Sequence, residues 1–345
     1  LTEHYDVIII GAGLSGLMAA RTVAEAGLRY LVLDKGKSVG GRMATRRIGE
    51  GRADHGAQFF TARSETMKNY CSEWEEKGWI QVWTNGFHQL SGEGGSLVRA
   101  SVDGYPRYKA NDGMNALTKK LANGLSVKTE VKVNELRFRN KQWAIEATEF
   151  MSHKKLNFSA DAVLSTAPVP QSLALLLRED LESDVKEELE ALLYEPCLCA
   201  LLVLEGPSGV PDNGGIQGDG IIAFIGDNQK KGISASPIVT VQASGAWSLS
   251  HYNDDEEELL KIFIHKIRPL IGNAAIKSAQ LKKWRYAKPS SLYPDRFLAA
   301  MDPGPIAFAG DAFKEGKVEG AILSGLEAGK WLMERQRHSK RQGEN

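Results

Sequence analysis

The stretch Asp6-Val-Ile-Ile-Ile-Gly-Ala-Gly-Leu-Ser-Gly-Leu17 decides the fold of this chain of 345 residues. Four consecutive apolar residues, Val7 to Ile10, suit a strand buried on both faces of a parallel sheet. Gly11 permits a tight turn, Gly13 lets backbone approach a diphosphate, and Gly16 lets the following helix pack closely on the strand. Leu14 and Ser15 open that helix, which the pattern carries to Ala26, and its free N–H groups suit an anion. Gly27 is placed to end it, and Tyr30 to Leu33 read as the second strand. Asp34 lies 23 residues after Gly11, close to the roughly 20 at which an acid meets the ribose hydroxyls of a dinucleotide. Lys35 follows on the same loop. Strand, turn, helix and acid in this order are far more specific than the glycine spacing alone.

A matching piece closes the chain. Ile306-Ala-Phe-Ala-Gly-Asp311 reads as a buried strand that delivers Gly310 and Asp311 to a ribityl chain or diphosphate. The run Val318-Glu-Gly-Ala-Ile-Leu-Ser-Gly325 then starts a helix whose first amides, from Val318, Glu319, Gly320 and Ala321, suit the N1–C2 edge of a flavin. Gly41 and Arg42 sit where the loop after the second strand can return to the diphosphate, and a guanidinium bonds such oxygens bidentately. Val131 is a further candidate on the cofactor side. Asp34 argues against a 2′-phosphate in this pocket. No second glycine fingerprint stands between a strand and a helix, so a separate module for NAD(P)H is not expected. The cofactor that fits is FAD, bound without a covalent tether because no cysteine lies near Gly310-Asp311.

Composition agrees with a soluble cytoplasmic enzyme. Lys plus Arg equals Asp plus Glu, 43 each, and the one basic tract, Arg335 to Arg341, reads as a solvated helix end. Nucleic acid is not an expected partner. No apolar stretch reaches membrane-spanning length, and an acidic leader, Glu3 and Asp6, argues against a signal peptide. Cys71, Cys197 and Cys199 read as buried thiols, with no metal or disulfide framework.

The fold expected is α/β: a Rossmann-type FAD-binding domain built from 1–68, 108–168 and 295–338. A substrate domain of α+β type, 69–107 and 169–294, is inserted, and 339–345 form a flexible tail. Ser64 caps a helix with Met67, Tyr70, Cys71 and Trp74 on one face. Residues 79–107 show no clear period. Alternation through Val127, Thr129, Val131 and Val133, and back through Trp143, Ile145 and Ala147, predicts antiparallel strands. A later helix should turn Leu260, Phe263, Ile264, Ile267 and Ile271 inward, and Pro269 should kink its end.

The segments Gly41-Arg42-Met43, Asp54-His-Gly-Ala-Gln-Phe-Phe-Thr-Ala-Arg63, Trp284-Arg-Tyr-Ala-Lys-Pro289 and Lys317-Val-Glu-Gly-Ala321 together resemble the renalase family, bacterial branch. That family lies within the amine oxidase and phytoene desaturase superfamily of flavoproteins. The resemblance implies a para-hydroxybenzoate-hydroxylase-like fold with noncovalent FAD. It also implies oxidation of isomeric dihydro forms of NAD(P), with O2 reduced to H2O2. The chain departs from this pattern at Gln242, where bacterial relatives often carry His.

Read from the residues, Gly56 and Ala57 are small enough for backbone to lie against a flat ring. Gln58 can bond a flavin edge or a substrate amide. Phe59 and Phe60 either wall the pocket or belong to the core. Trp284 and Tyr286, two apart on a strand, share one face near the flavin or in a core. His55 beside Asp54 reads as structural rather than as a base. With Gln242 these residues are the candidates for the substrate side. No acid–base dyad emerges, which suits direct hydride transfer from a small planar donor; O2 as acceptor is what the resemblance implies. A flavin amine oxidase or desaturase-like enzyme is the alternative in the same class, and a noncatalytic FAD-binding redox sensor is the alternative outside it.

Overall fold

A computed structural model describes residues 2–91, 96–98, 103–176 and 181–343. The chain divides into two compact units.

The first unit comprises Leu1–Gly41, Thr118–Leu193 and Pro289–Asn345. Its parallel layer places Glu3–Ile10 between Lys155–Ser165 and Tyr30–Leu33, with Val127–Lys128 beyond Tyr30–Leu33 and Ile306–Ala309 beyond Lys155–Ser165. The register sets Ile8 against Val163 and Leu31, and Val163 against Ile306. Val7, Ile8, Ile9, Val163 and Ile306 have no solvent exposure, as expected for strands covered on both faces. Val131–Arg139 and Gln142–Glu149 form an antiparallel meander that joins the first half of Lys155–Ser165.

Two helices bind the ends of the chain together in this unit: Leu14–Glu25 and Lys317–Gly343. A Cβ at Gly325 would lie 2.1 Å from the Ser15 carbonyl oxygen, and one at Gly329 would lie 2.8 Å from Thr22 Cβ. Two glycines four apart therefore let the helix backbones touch. The final helix runs through residue 343, so it takes in most of the tail expected over 339–345; Glu344 and Asn345 lie outside the described residues.

The second unit comprises Arg42–Leu117 and Tyr194–Lys288. Its seven-stranded sheet runs in the order Ile276–Pro289, Tyr194–Leu204, Ile238–Ala243, Ile222–Asp227, Gly215–Gly218, His88–Ser91 and Ser96–Val98. One face packs Leu198, Ala200, Leu202, Val239, Val241 and Leu281 against Leu259, Phe263, Ile267 and Ile271 of the helix Glu256–Ile271. The other face sets Cys199, Leu201 and Ile238 against Ala53, at the end of the hairpin Thr45–Ile48 and Gly51–Asp54.

Several expectations need correction. Residues 42–68 and 108–117 group with the second unit rather than with the cofactor layer, because the 45–58 segment lies on the second sheet. Residues 169–193 group with the first unit. Val127 and Thr129 do not extend the meander; Glu130 takes φ 58°, which breaks the strand, and Val127–Lys128 pairs with the cofactor sheet instead. Leu260 and Ile264 pack partly buried against this core as expected, and Leu259 joins them as a fully buried residue. Pro269 lies inside that helix, which runs to Ile271 with Gly272 as its C-cap. The patternless segment 79–107 holds strands Ile80–Thr84, His88–Ser91 and Ser96–Val98, while 92–95 and 99–102 lie outside the described residues.

Candidate functional site

In the first unit the glycine turn is shaped as a diphosphate cradle. Gly11 takes φ 103°, and a Cβ at Gly16 would lie 1.9 Å from the Gly11 carbonyl oxygen, so both positions demand glycine. A Cβ at Gly13 would meet nothing within 4 Å. Gly13 is also the N-cap of the first helix and supplies no side-chain bond to it. Ser15 Oγ is buried without a partner in that first turn. An uncapped helix start with open space and an orphaned hydroxyl fits an anionic ligand.

Asp34 stands at the end of Tyr30–Leu33, half-exposed, and has two tasks. Its Oδ2 accepts from Ala12 N at 2.6 Å, and its Oδ1 accepts from Gly36 N at 2.6 Å. Each carboxylate oxygen retains a lone pair for a ribose hydroxyl. Lys35 points away and donates to Gln171 Oε1 at 2.9 Å, and Val131 N donates to the Asp34 carbonyl at 2.9 Å. Val131 thus braces the Asp34 strand end. A Cβ at Gly41 would lie 3.7 Å from Gly13 Cα, so that loop does return to the glycine turn.

The closing segment is built to the same end. Gly310 N donates to Ser324 Oγ at 2.8 Å, which ties the strand Ile306–Ala309 to the last helix. Asp311 is buried in the turn after that strand, and Val318 and Glu319 are buried in the first turn of the helix. A Cβ at Gly320 would lie 1.7 Å from the Glu315 carbonyl oxygen, and Ala321 follows half-buried. The residues present fit FAD's dinucleotide portion.

In the second unit the segment 54–58 is pinned at nearly every polar atom. Asp54 O accepts from Gln58 Nε2 at 2.8 Å and from Thr240 Oγ1 at 2.8 Å. Gly56 O accepts from Gln242 Nε2 at 2.7 Å and from Gln58 Nε2 at 3.1 Å. Ala57 N donates to Arg42 O at 2.8 Å. The Arg42 guanidinium donates to the carbonyl of Ala287 at 3.2 Å. Trp284 Nε1 donates to His55 O at 2.8 Å, and its ring stacks on the imidazole with centroids 5.3 Å apart. Tyr286 meets Tyr194 edge-on at 5.7 Å. Burial, with the positive charges of Lys282 and Arg46, pushes His55 down to about 4, while Asp54 opposes the shift; the ring is neutral at physiological pH.

Two substrate-side candidates turn out to serve this scaffold. Gln58 is 4% exposed, its Nε2 is committed to two carbonyls, and its Oε1 is buried without a partner. It holds the loop rather than offering its amide outward. Phe60 is in the core, paired with Tyr108 by backbone bonds of 3.1 and 2.8 Å and stacked on its ring. Phe59 is half-buried among Trp83, Phe87 and Phe224, with centroids 5.0–6.5 Å away.

Sequence reading missed the element beneath the loop. Lys231 is 1% exposed; its Nζ contacts Asp54 Oδ2 at 2.7 Å and Gln58 O at 2.5 Å, and it lies 4.6 Å from the Trp83 ring centroid. Burial lowers the pKa of Lys231, and Asp54 opposes that shift. Lys109 Nζ in turn donates to the Lys231 carbonyl. The exposed-looking run Asn228-Gln-Lys-Lys-Gly232 gave no hint that its second lysine is buried.

Comparison with known proteins agrees with this architecture. The profile of an NAD(P)-binding Rossmann-like domain matches residues 9–74, and that of the flavin containing amine oxidoreductases matches residues 80–330. Among curated proteins, the probable flavin-containing monoamine oxidase A of Dictyostelium discoideum is 34% identical over 90 residues, 26% of this chain and 20% of that protein. The (S)-6-hydroxynicotine oxidase of Paenarthrobacter nicotinovorans is 48% identical over 42 residues, 12% of this chain and 10% of that protein. These matches span a fifth or less of the relatives' length. A putative protoporphyrinogen oxidase from Exiguobacterium sp. 255-15 superposes with TM-score 0.73 at 12% identity, covering 97% of this chain and 99% of that one. A putrescine oxidase bound to putrescine does so with TM-score 0.71 at 14% identity, covering 96% and 100%. Those likenesses establish the fold. With one profile spanning well over half the sequence and a dinucleotide cradle to match it, the chain belongs to the flavin containing amine oxidoreductases, an FAD-dependent oxidoreductase family.

Proposed function

We propose that this protein is an oxidase of renalase type, with noncovalent FAD, that takes hydride from a small planar donor such as an isomeric dihydro-NAD(P). Bound FAD supplies a two-electron acceptor that O2 can reoxidise, giving H2O2. The observation that carries the reading is the closed state of Asp54: the carboxylate set beneath the 54–58 loop is ion-paired with Lys231. Beside it stand a neutral imidazole and the stacked indole of Trp284. This surface suits an aromatic donor, and the buried, ion-paired Asp54 carboxylate is closed to a protonated amine. A dihydropyridine also needs no deprotonation before hydride leaves, whereas an ammonium does.

Family membership and the putrescine oxidase likeness favour an amine oxidase as the second reading. Anaerobic stopped-flow separates the two. The 2- and 6-dihydro isomers of NAD(P)H should bleach the flavin much faster than the ordinary 4-dihydro form, since a displacement of about 1 Å costs on the order of 100-fold. Bleaching by an amine while saturating isomers leave the flavin oxidised overturns the proposal.

A further inference from the structure

The strand Ile276–Pro289 alternates its side chains between two faces of the second unit's sheet. Leu281 belongs to the core under the helix Glu256–Ile271, so Lys282 points to the opposite face. Trp284, on that same face, bonds His55 O, and Tyr286 continues the row. Across the sheet, Gln242 is the register partner of both Cys199 and Phe224 and bonds Gly56 O. Lys282 thus stands on the sheet face that carries the 54–58 loop. It is half-buried and has no carboxylate within ion-pair distance among the described residues. The carboxylates of this region are otherwise engaged: Asp54 by Lys231 at 2.7 Å, and Glu195 with Lys288 at 3.9 Å.

The Lys282 side chain is half-buried on this face and no ion pair holds it among the described residues, so an anionic group that reaches the face meets a cation free to give a charge-assisted contact. Resting on the reading of a planar hydride donor, we infer that Lys282 is a specificity-determining residue that reads an anionic group, phosphate or carboxylate, on the substrate and disfavours protonated amines. The charge environment of His55 is consistent with a positive potential here, since Lys282 and Arg46 both oppose its protonation. The inference concerns which molecules the face admits, and it holds or falls separately from the chemistry that follows.

The test is calorimetric titration of the FAD-loaded protein with three oxidised ligands. These are NAD+, carrying phosphates; nicotinate riboside, carrying a ring carboxylate; and nicotinamide riboside, carrying neither. Wild type should prefer at least one anionic ligand over nicotinamide riboside by about ten-fold or more, the size of one charge-assisted contact. Which anion is preferred identifies the group that is read. The preference should vanish in Lys282→Met, invert in Lys282→Glu and return in Lys282→Arg, and it should weaken with salt. Absence of any anion preference in wild type, or its survival in Lys282→Met and Lys282→Glu, overturns the inference. Failure of the donor reading has a different signature: anions bind selectively, yet dihydro isomers leave the flavin oxidised.

Discussion

Replacing Lys231 with Met should be among the most damaging single changes in the second unit. Its three ammonium protons have three destinations: Asp54 Oδ2, Gln58 O and the Trp83 ring. Met fills similar volume but strands the Asp54 carboxylate, which has no solvent exposure. Asp54 Oδ1 keeps its bonds from Thr45 Oγ1 and Met114 N, so the carboxylate loses the donor on Oδ2 and keeps both on Oδ1. Breaking a buried pair on one side costs about 3–5 kcal/mol, and the retained donors place the expectation near 3 kcal/mol. Asp54→Asn should soften the loss, because the stranded charge disappears. Urea denaturation of wild type, both single variants and the double variant forms a cycle whose coupling should exceed about 1.5 kcal/mol. A Lys231→Met loss below about 1 kcal/mol, or additive single effects, would refute the view that this pair anchors the 54–58 loop.

Three further outcomes are expected. Gly325→Ala places a Cβ 2.1 Å from the Ser15 carbonyl oxygen and should cost about 2–3 kcal/mol, read by denaturation, while Gly206→Ala, in open space, stays within about 0.5 kcal/mol; equal effects would show that the helices yield. Asp34→Ala should weaken FAD by about 1.5–3 kcal/mol in fluorescence titration; an unchanged dissociation constant would mean that this carboxylate serves only the Ala12 and Gly36 amides. His55 sits at about 4 in the folded protein against 6.5 ordinarily, so the folded state binds the proton less well. The resulting stability is fully present above pH 6.5 and is lost as pH falls towards 4, about 3 kcal/mol in all; His55→Gln should flatten that part of the urea-midpoint profile, and an unchanged slope would count against a buried neutral ring.

The sequence disclosed most of the first unit because its signals are local. A four-residue apolar run, a glycine turn and an acid at fixed spacing determine Glu3–Ile10, Leu14–Glu25 and Tyr30–Leu33 almost to the residue. Ser64 capping was equally legible, and its Oγ accepts from Met67 N at 3.2 Å. The second unit hides more, because its order comes from pairings distant along the chain. Lys231 meets Asp54 across 177 positions, and no periodicity marks it for burial. Gln58 and Phe60 look like ligand contacts beside Gly56-Ala57, yet backbone carbonyls and Tyr108 claim them. Short strands within 80–98 alternate too briefly to register.

The crossing of Gly325 and Gly329 on the first helix also bears on how the protein is made. The glycine turn is synthesised about three hundred residues before the helix that must cover Ser15 and Thr22, and Val163 waits for Ile306 over a shorter but still long stretch. Throughout that interval the nascent cofactor sheet lacks both a strand and its covering helix. Its apolar strands face solvent or a chaperone, since contacts of such separation form slowly and leave edges open to aggregation. Synthesis of Lys317–Gly343 is then the step that supplies the covering helix, and truncations within this helix should yield protein that is insoluble as well as colourless.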